Sequence, residues 1–338
     1  MKVYSKILLN EYHQSLTYDD ISLIPTEVSR IKSRKEVNTF SNFLGMKLSL
    51  PIISSPMESV TGIEMAKELI SLGCLGIVNR FDSSLNEILN NKNSERKINA
   101  ISIALNTPLD TVKKLSEGKK IICIDTANAN NREVLKKTEL IKNNLKVKII
   151  VGNIAHGASL KQLVDAGTDA VRVGIGSGSV CSTSIQTGIG LGQVSSILDV
   201  YLAKKENKFK IAIIADGGIK GAGDVAKAMA LGADAVMLGR LLAGTRETPG
   251  EVIRYKDQLW KKYRGSASFG VKMKNEFIEG EETMVSYKGV VKNVIDAISD
   301  GLRSSMSYMN CKTIEDLRNI ESFTVLSNYS YMERLPRT

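Results

Sequence analysis

Histidine is almost missing from this chain: His13 and His156 are the only two in 338 residues. A histidine-based metal centre or a Ser-His-Asp triad needs imidazoles that the sequence does not supply. Aromatic side chains are also scarce, at 5%, which removes the stacking platform on which single-stranded nucleic acid binds. The net charge of +10 is therefore read as a solvated basic surface that favours anionic small molecules. Its lysines are scattered along helical stretches, as in Lys113-Lys114, Lys136-Lys137, Lys204-Lys205 and Lys261-Lys262. No apolar run approaches the roughly 20 residues of a bilayer span. The first residues, Met1 to Glu11, carry no small-residue cleavage site. The expectation is a soluble, cytoplasmic protein with no nucleic-acid and no membrane partner.

Cysteine is sparse as well, and Cys74, Cys123, Cys181 and Cys311 lie far apart, with no Cys-x-x-Cys pair. That spacing argues against a zinc site. Cys74 and Cys123 fall in apolar runs and read as inert core thiols. Cys181 differs. It lies within Val173 to Gly192, a stretch holding Gly174, Gly176, Gly178, Gly188, Gly190 and Gly192. Glycine at this density lets backbone approach a ligand and take positive φ, so Cys181 is expected where main chain and ligand meet.

Eight apolar runs of strand length punctuate the chain: Leu50–Ser54, Leu75–Val78, Ala100–Ala104, Lys120–Asp125, Val147–Gly152, Ala170–Ile175, Lys210–Asp216 and Ala235–Leu238. Helical patterns separate most of them, including Gly62–Leu72, Thr111–Glu117, Asn131–Asn143, Ser159–Ala166 and Gly223–Leu231. Runs apolar on both faces and joined by helices imply parallel strands, and eight imply an α/β protein built as a closed (β/α)₈ TIM barrel. A doubly wound sheet is the alternative, but no Gly-x-Gly-x-x-Gly turn follows the first strand. The organisation expected is one catalytic barrel over residues 1–338. Segments 1–49 and 265–338 pack on it, and the tail, residues 328–338, is flexible.

In such barrels, chemistry sits in loops after the carboxyl ends of the strands. Two of these loops suit phosphate. Asp216-Gly217-Gly218 ends the seventh run and Gly239-Arg240 follows the eighth, where barrels commonly cradle phosphate on backbone N–H groups. Ordinary turn glycines are the plainer reading of the same residues.

Longer motifs carry a family resemblance. They include Leu16-Thr17-Tyr18-Asp19-Asp20, Gly174 to Thr183, Ala215-Asp216-Gly217-Gly218-Ile219, Gly232 to Gly239, Tyr263-Arg264-Gly265, Glu279-Gly280, Val285 to Gly289 and Gly301-Leu302-Arg303-Ser304. In this order they resemble the IMP dehydrogenase and GMP reductase family over nearly the whole chain. The resemblance implies a thioimidate formed by Cys181 at C2 of a purine, with Thr183 and Glu279 handling the proton of departing ammonia. Substrate positions correspond to Ser179, Asp216, Gly217, Gly218, Gly239, Arg240, Tyr263, Gly265, Ser266, Ala267 and Gly280. Asp216 falls at the ribose hydroxyls. Cofactor positions correspond to Arg80, Asp125, Thr126 and Ala127, with Ser33, Arg34, Ser304 and Ser305 reaching in from a neighbouring subunit of a homotetramer. The carbonyls of Gly176, Gly178 and Cys181 match a monovalent-cation site, usually K+.

Within the family, the stretch between Gly265 and Glu279 is short and lacks the arginine that activates water in the dehydrogenase. Asn79 to Ile101 is too short for inserted regulatory modules. The reading is NADPH-dependent reduction of GMP to IMP and ammonia, with NADH as the other cofactor. IMP dehydrogenase without regulatory modules, a reductase of a related purine nucleotide, and a catalytically silent nucleotide-binding homologue are the alternatives. Thr245 to Glu251 leans toward the dehydrogenase. Ser184, where an arginine is usual, and Arg240, where glycine or serine is usual, depart from both members.

Overall fold

The computed structural model describes residues 3–81, 86, 88, 98–179, 182–265 and 282–333. Eight parallel strands close into a barrel: β1 Ile52–Ser54, β2 Leu75–Val78, β3 Ala100–Ile103, β4 Ile121–Asp125, β5 Lys148–Ile154, β6 Ala170–Val173, β7 Ala212–Asp216 and β8 Ala235–Leu238. The ring closes where Val236 and Leu238 of β8 stand opposite Ile52 and Ser54 of β1. Helices α1 Ile63–Ser71, α2 Leu109–Ser116, α3 Arg132–Asn144, α4 Leu160–Asp165, α5 Gln193–Glu206 and α6 Ala222–Ala230 intervene between strands, and α7 Val291–Tyr308 follows β8 after an excursion. The fold is a (β/α)₈ TIM barrel, as the alternation of apolar and amphipathic runs implies.

The strand ends differ from the sequence expectation for local reasons. The first strand starts at Ile52 and not Leu50, because Pro51 has no N–H for the ladder and contributes only its carbonyl, which accepts from Val236. The sixth stops at Val173, where Gly174 takes φ of 142° and turns the chain into the loop. The fifth runs on to Ile154, with a register irregularity opposite β6 between Gly152 and Ile154.

The barrel interior is apolar at its amino-terminal end. Ile53, Ile77, Cys123, Ile150, Ala170 and Ile214 form one buried cluster, joined there by Phe43, Met46 and Leu48. These last three come from a hairpin, Ser41–Phe43 with Met46–Leu48, that the sequence reading does not distinguish. Leu44 and Gly45 carry φ of 51° and 83° across its tight turn, the positive pair that two-residue hairpins require. Each large apolar side chain so buried contributes about 1.5–3 kcal/mol.

A second sheet, also outside the sequence expectation, follows β8: Ile253–Tyr255, Gln258–Arg264 and Glu282–Ser286 pair antiparallel, with Arg264 opposite Glu282. Lys261 of this sheet is buried and donates to the carbonyls of Thr245, Arg246 and Thr248, which fixes the segment leaving the barrel. In α7, Gly301 allows close approach to α6: a Cβ there would lie 2.3 Å from the Cβ of Ala222. Two residues further along α7, Arg303 donates to the carbonyl of Val37 and to Thr39 Oγ1, tying down the N-terminal segment. In the C-terminal tail, Asn328–Met332 forms a helix capped by Ser327. No helix among the described residues is long and apolar enough to cross a membrane.

Candidate active site

Towards the carboxyl ends of the strands, the barrel interior changes from apolar to charged. Two residues beyond Cys123, Ala170 and Ile214 on their strands stand Asp125, Arg172 and Asp216. Above them opens a cleft of about 1040 Å³.

Arg172 is buried and organises the floor. Its Nη1 donates to Asp125 Oδ1 at 2.6 Å, while Nη2 and Nε both donate to Asp216 Oδ2, at 2.9 and 3.1 Å. Arg80 Nε donates to Asp125 Oδ2 at 3.0 Å. Asn153 Nδ2 donates to Asp216 Oδ2 at 2.9 Å and to the Gly174 carbonyl at 2.8 Å. Burial opposes ionisation of Asp125, but the guanidinium groups of Arg172 and Arg80 outweigh it and hold the carboxyl below the usual aspartate range. Both oxygens of Asp125 are engaged, whereas Asp216, which lines the cleft, takes its hydrogen bonds on Oδ2, and its Oδ1 accepts none among the described residues.

Ser179, Gly239 and Tyr263 converge at the other end. The Tyr263 hydroxyl lies 3.3 Å from Ser179 Oγ, and a Cβ on Gly239 would come within 3.1 Å of the same hydroxyl. Burial pushes the Tyr263 phenol above its ordinary range, so it stays a donor. Gly217 and Gly218 take φ of 106° and 73°; at Gly217 a Cβ would also strike Ser177 Oγ at 2.4 Å. Lys288 Nζ donates to the carbonyls of Arg240 and Leu241 at 2.8 and 3.0 Å, fixing the turn that presents the Arg240 guanidinium. Burial, then the neighbouring Arg240 charge, lowers the Lys288 pKa. Backbone donors and cations gathered in this way suit a phosphate.

The cysteine loop leaves β6 at Gly174. Gln193, buried at the start of α5, donates to the Val173 carbonyl at 2.7 Å and accepts from Ser177 Oγ at 2.8 Å, pinning both ends of the turn. Gly176 and Gly190 face each other across Ser184, whose Cβ would lie 3.1 Å from a Cβ on either. Among the described residues the carbonyls of Gly176 and Gly178 accept no hydrogen bond. No group of three His, Cys, Asp or Glu that could hold a metal ion occurs among the described residues.

Of the site residues expected from sequence, Ser179, Asp216, Gly217, Gly218, Gly239, Arg240, Tyr263 and Gly265 line the cleft. So do Arg80, Asp125, Thr126, Ala127, Gly176, Gly178 and Thr183. Cys181, Ser266, Ala267, Glu279 and Gly280 lie outside the described residues. Ser33, Arg34, Ser304 and Ser305 do not line the cleft of their own chain. The turn Arg34–Glu36, capped by Ser33, packs instead against α7, which carries both other serines. Sequence reading missed Arg172, Gln193, Asn153 as an Asp216 partner, and Lys288. One signal was available: Arg172 is a lone charge in an otherwise apolar strand.

The model of the IMP dehydrogenase / GMP reductase domain matches residues 15–336, and the chain belongs to that family. It is 32% identical to an inosine-5'-monophosphate dehydrogenase of Borreliella burgdorferi, covering 96% of each chain. It is equally 32% identical to a GMP reductase of Bacillus subtilis, over 92% of this chain and 96% of the relative. An inosine-5'-monophosphate dehydrogenase of Aquifex aeolicus is 42% identical over 67% of this chain; that match spans only 49% of the relative. The family's enzymes are oxidoreductases that act on purine nucleotides with a nicotinamide cofactor.

Proposed function

We propose that this member is an NADPH-dependent GMP reductase, forming IMP and ammonia. The observation that carries the reading is the connection between the paired strands Gln258–Arg264 and Glu282–Ser286. From Gly265 to Glu279 it contains no arginine. The arginine at its edge, Arg264, is ion-paired with Glu282 at 2.8 Å and lies 3.7 Å from Glu58. A free guanidinium to activate water, which the dehydrogenase reaction needs, has no source there.

In this reading the nucleotide lies with its phosphate among Ser179, Gly217, Gly218, Gly239, Tyr263 and Arg240, and with its ribose hydroxyls on Asp216 Oδ1. The Cys181 thiolate bonds to C2 of the purine, and the C2–N bond breaks as the amino group leaves as ammonia. Thr183 and Glu279 deliver the proton that departure requires. A bound NADPH would supply the hydride that leaves C2 bearing hydrogen, with loss of the C–S bond and release of IMP. Arg80, Asp125, Thr126 and Ala127 would hold the cofactor. Ser33, Arg34, Ser304 and Ser305 of a neighbouring copy complete the site in a homotetramer, and the carbonyls of Gly176, Gly178 and Cys181 would hold K+.

IMP dehydrogenase is the second reading, favoured by the Thr245 to Glu251 motif and by the Aquifex relative. That motif serves the fold here, however: Glu247 Oε2 accepts from the Val291 N–H at 2.8 Å and so holds the start of α7. Incubation with GMP and NADPH, followed by nicotinamide absorbance, separates the two. Loss of absorbance with release of IMP is expected. No change there, with NADH formed from IMP and NAD, would reverse the assignment. A Cys181→Ala variant that kept either activity would remove the thioimidate from both.

A further inference from the structure

The charged floor joins the two halves of the cleft. A continuous chain runs Arg80, Asp125, Arg172, Asp216, Asn153, and among the described residues Arg172 alone touches both carboxylates. It does so with three N–H groups of one planar fork, two directed at Asp216 and one at Asp125. Lysine could not reproduce this, because an ammonium is a single point charge without the fork. The guanidinium and Asp125 are buried and Asp216 is partly buried, so losing Arg172 would leave carboxylate charge poorly solvated. Among the described residues, Arg80 and Asn153 each engage one of the two carboxylates, and Arg172 alone links them.

We propose that Arg172 is a positioning residue that fixes the carboxylates of the nucleotide and cofactor subsites together, so that disturbing one subsite through it weakens the other. It touches neither ligand in this assignment. Its effect passes through Asp216 Oδ1, left open to the ribose because all three donors crowd onto Oδ2, and through the fully engaged Asp125. The inference rests on the assignment of Asp216 to nucleotide and Asp125 to cofactor, but not on the direction of the reaction.

The test is binding, read by calorimetry with GMP, IMP, NADPH and NAD on the full-length protein. In Arg172→Lys, dissociation constants for both the purine nucleotide and the nicotinamide dinucleotide should rise about fivefold or more, the lower range of measured site-to-site coupling. In Asp125→Asn, nucleotide affinity measured with no cofactor present should also fall, although Asp125 lies on the cofactor side. A purely structural Arg172 would lower the melting temperature and leave the dissociation constants of the remaining folded protein unchanged, and that result would overturn the proposal. So would an Arg172→Lys effect confined to one ligand. If Arg172→Lys does not fold, the cross-effect in Asp125→Asn decides alone. An enzyme that binds these ligands as described but catalyses neither reaction refutes the function and leaves this inference standing.

Discussion

Gly152 of β5 stands directly opposite Arg172 of β6, and a Cβ on Gly152 would lie 2.3 Å from the Cβ of Arg172. The missing methyl is what lets the arginine stem rise between its strand neighbours to reach both aspartates. Gly152→Ala is therefore expected to displace Arg172, at about 1–3 kcal/mol of stability for an overpacked interior. Activity should fall more than the stability loss accounts for when assayed well below the melting temperature. Unchanged kinetics in the folded variant would show that the guanidinium has room elsewhere.

The same network makes an acid-side prediction. Asp125 has its folded pKa held down by Arg172 and Arg80 against the effect of burial. Its contribution to stability is fully present above the ordinary aspartate value of about 3.9 and is lost as pH falls through the lower folded value. Thermal unfolding of the wild type should accordingly drop more steeply below about pH 4 than that of Asp125→Asn, which has no such carboxyl to protonate. Parallel curves for the two proteins would mean that other carboxylates dominate.

How much of this was legible beforehand varies with the range of the interactions. The eight strands are readable because a run buried on both faces writes its burial into consecutive residues, as in Ile121 to Asp125. The cysteine loop and the phosphate turns are readable because positive φ at Gly176, Gly217 and Gly218 demands glycine in the sequence itself. The floor is not. Asp125, Gly152, Arg172 and Asp216 become neighbours only through the registers β4 to β5, β5 to β6 and β6 to β7, which no local pattern encodes. The hairpin closing the amino-terminal end was hidden for a related reason. Phe43, Met46 and Leu48 look like any short apolar alternation until the barrel mouth is there to receive them.

At the phosphate end, Tyr263 and Arg240 contribute through different physics and should be separable. Tyr263→Phe removes a neutral donor 3.3 Å from Ser179 Oγ; a lost hydrogen bond of about 0.5–1.5 kcal/mol corresponds to roughly a two- to tenfold rise in KM for the nucleotide. Arg240→Ala removes an exposed cation that the turn held by Lys288 presents to the cleft. Its KM penalty should shrink as salt is raised, since screening already weakens the wild-type charge. Equal salt dependence in the two variants would place Arg240 away from the phosphate.

Thiol chemistry offers the most direct check on the assignment of the nucleophile. Burial pushes the thiols of Cys74 and Cys123 up to about 12, and burial together with Asp316 raises that of Cys311 to about 11. Each unit above neutrality costs a factor of ten in thiolate, the only reactive form, and all three side chains are also shielded from reagents. Iodoacetamide at neutral pH should thus label the folded protein once, at Cys181, as read by peptide mass spectrometry. Saturating GMP or IMP should slow that labelling, and Cys181→Ala should take up almost none until denatured. Label appearing on Cys74, Cys123 or Cys311 at a comparable rate in the folded protein would mean that burial does not protect them. Labelling of Cys181 indifferent to nucleotide would mean that its sulfur does not face the purine.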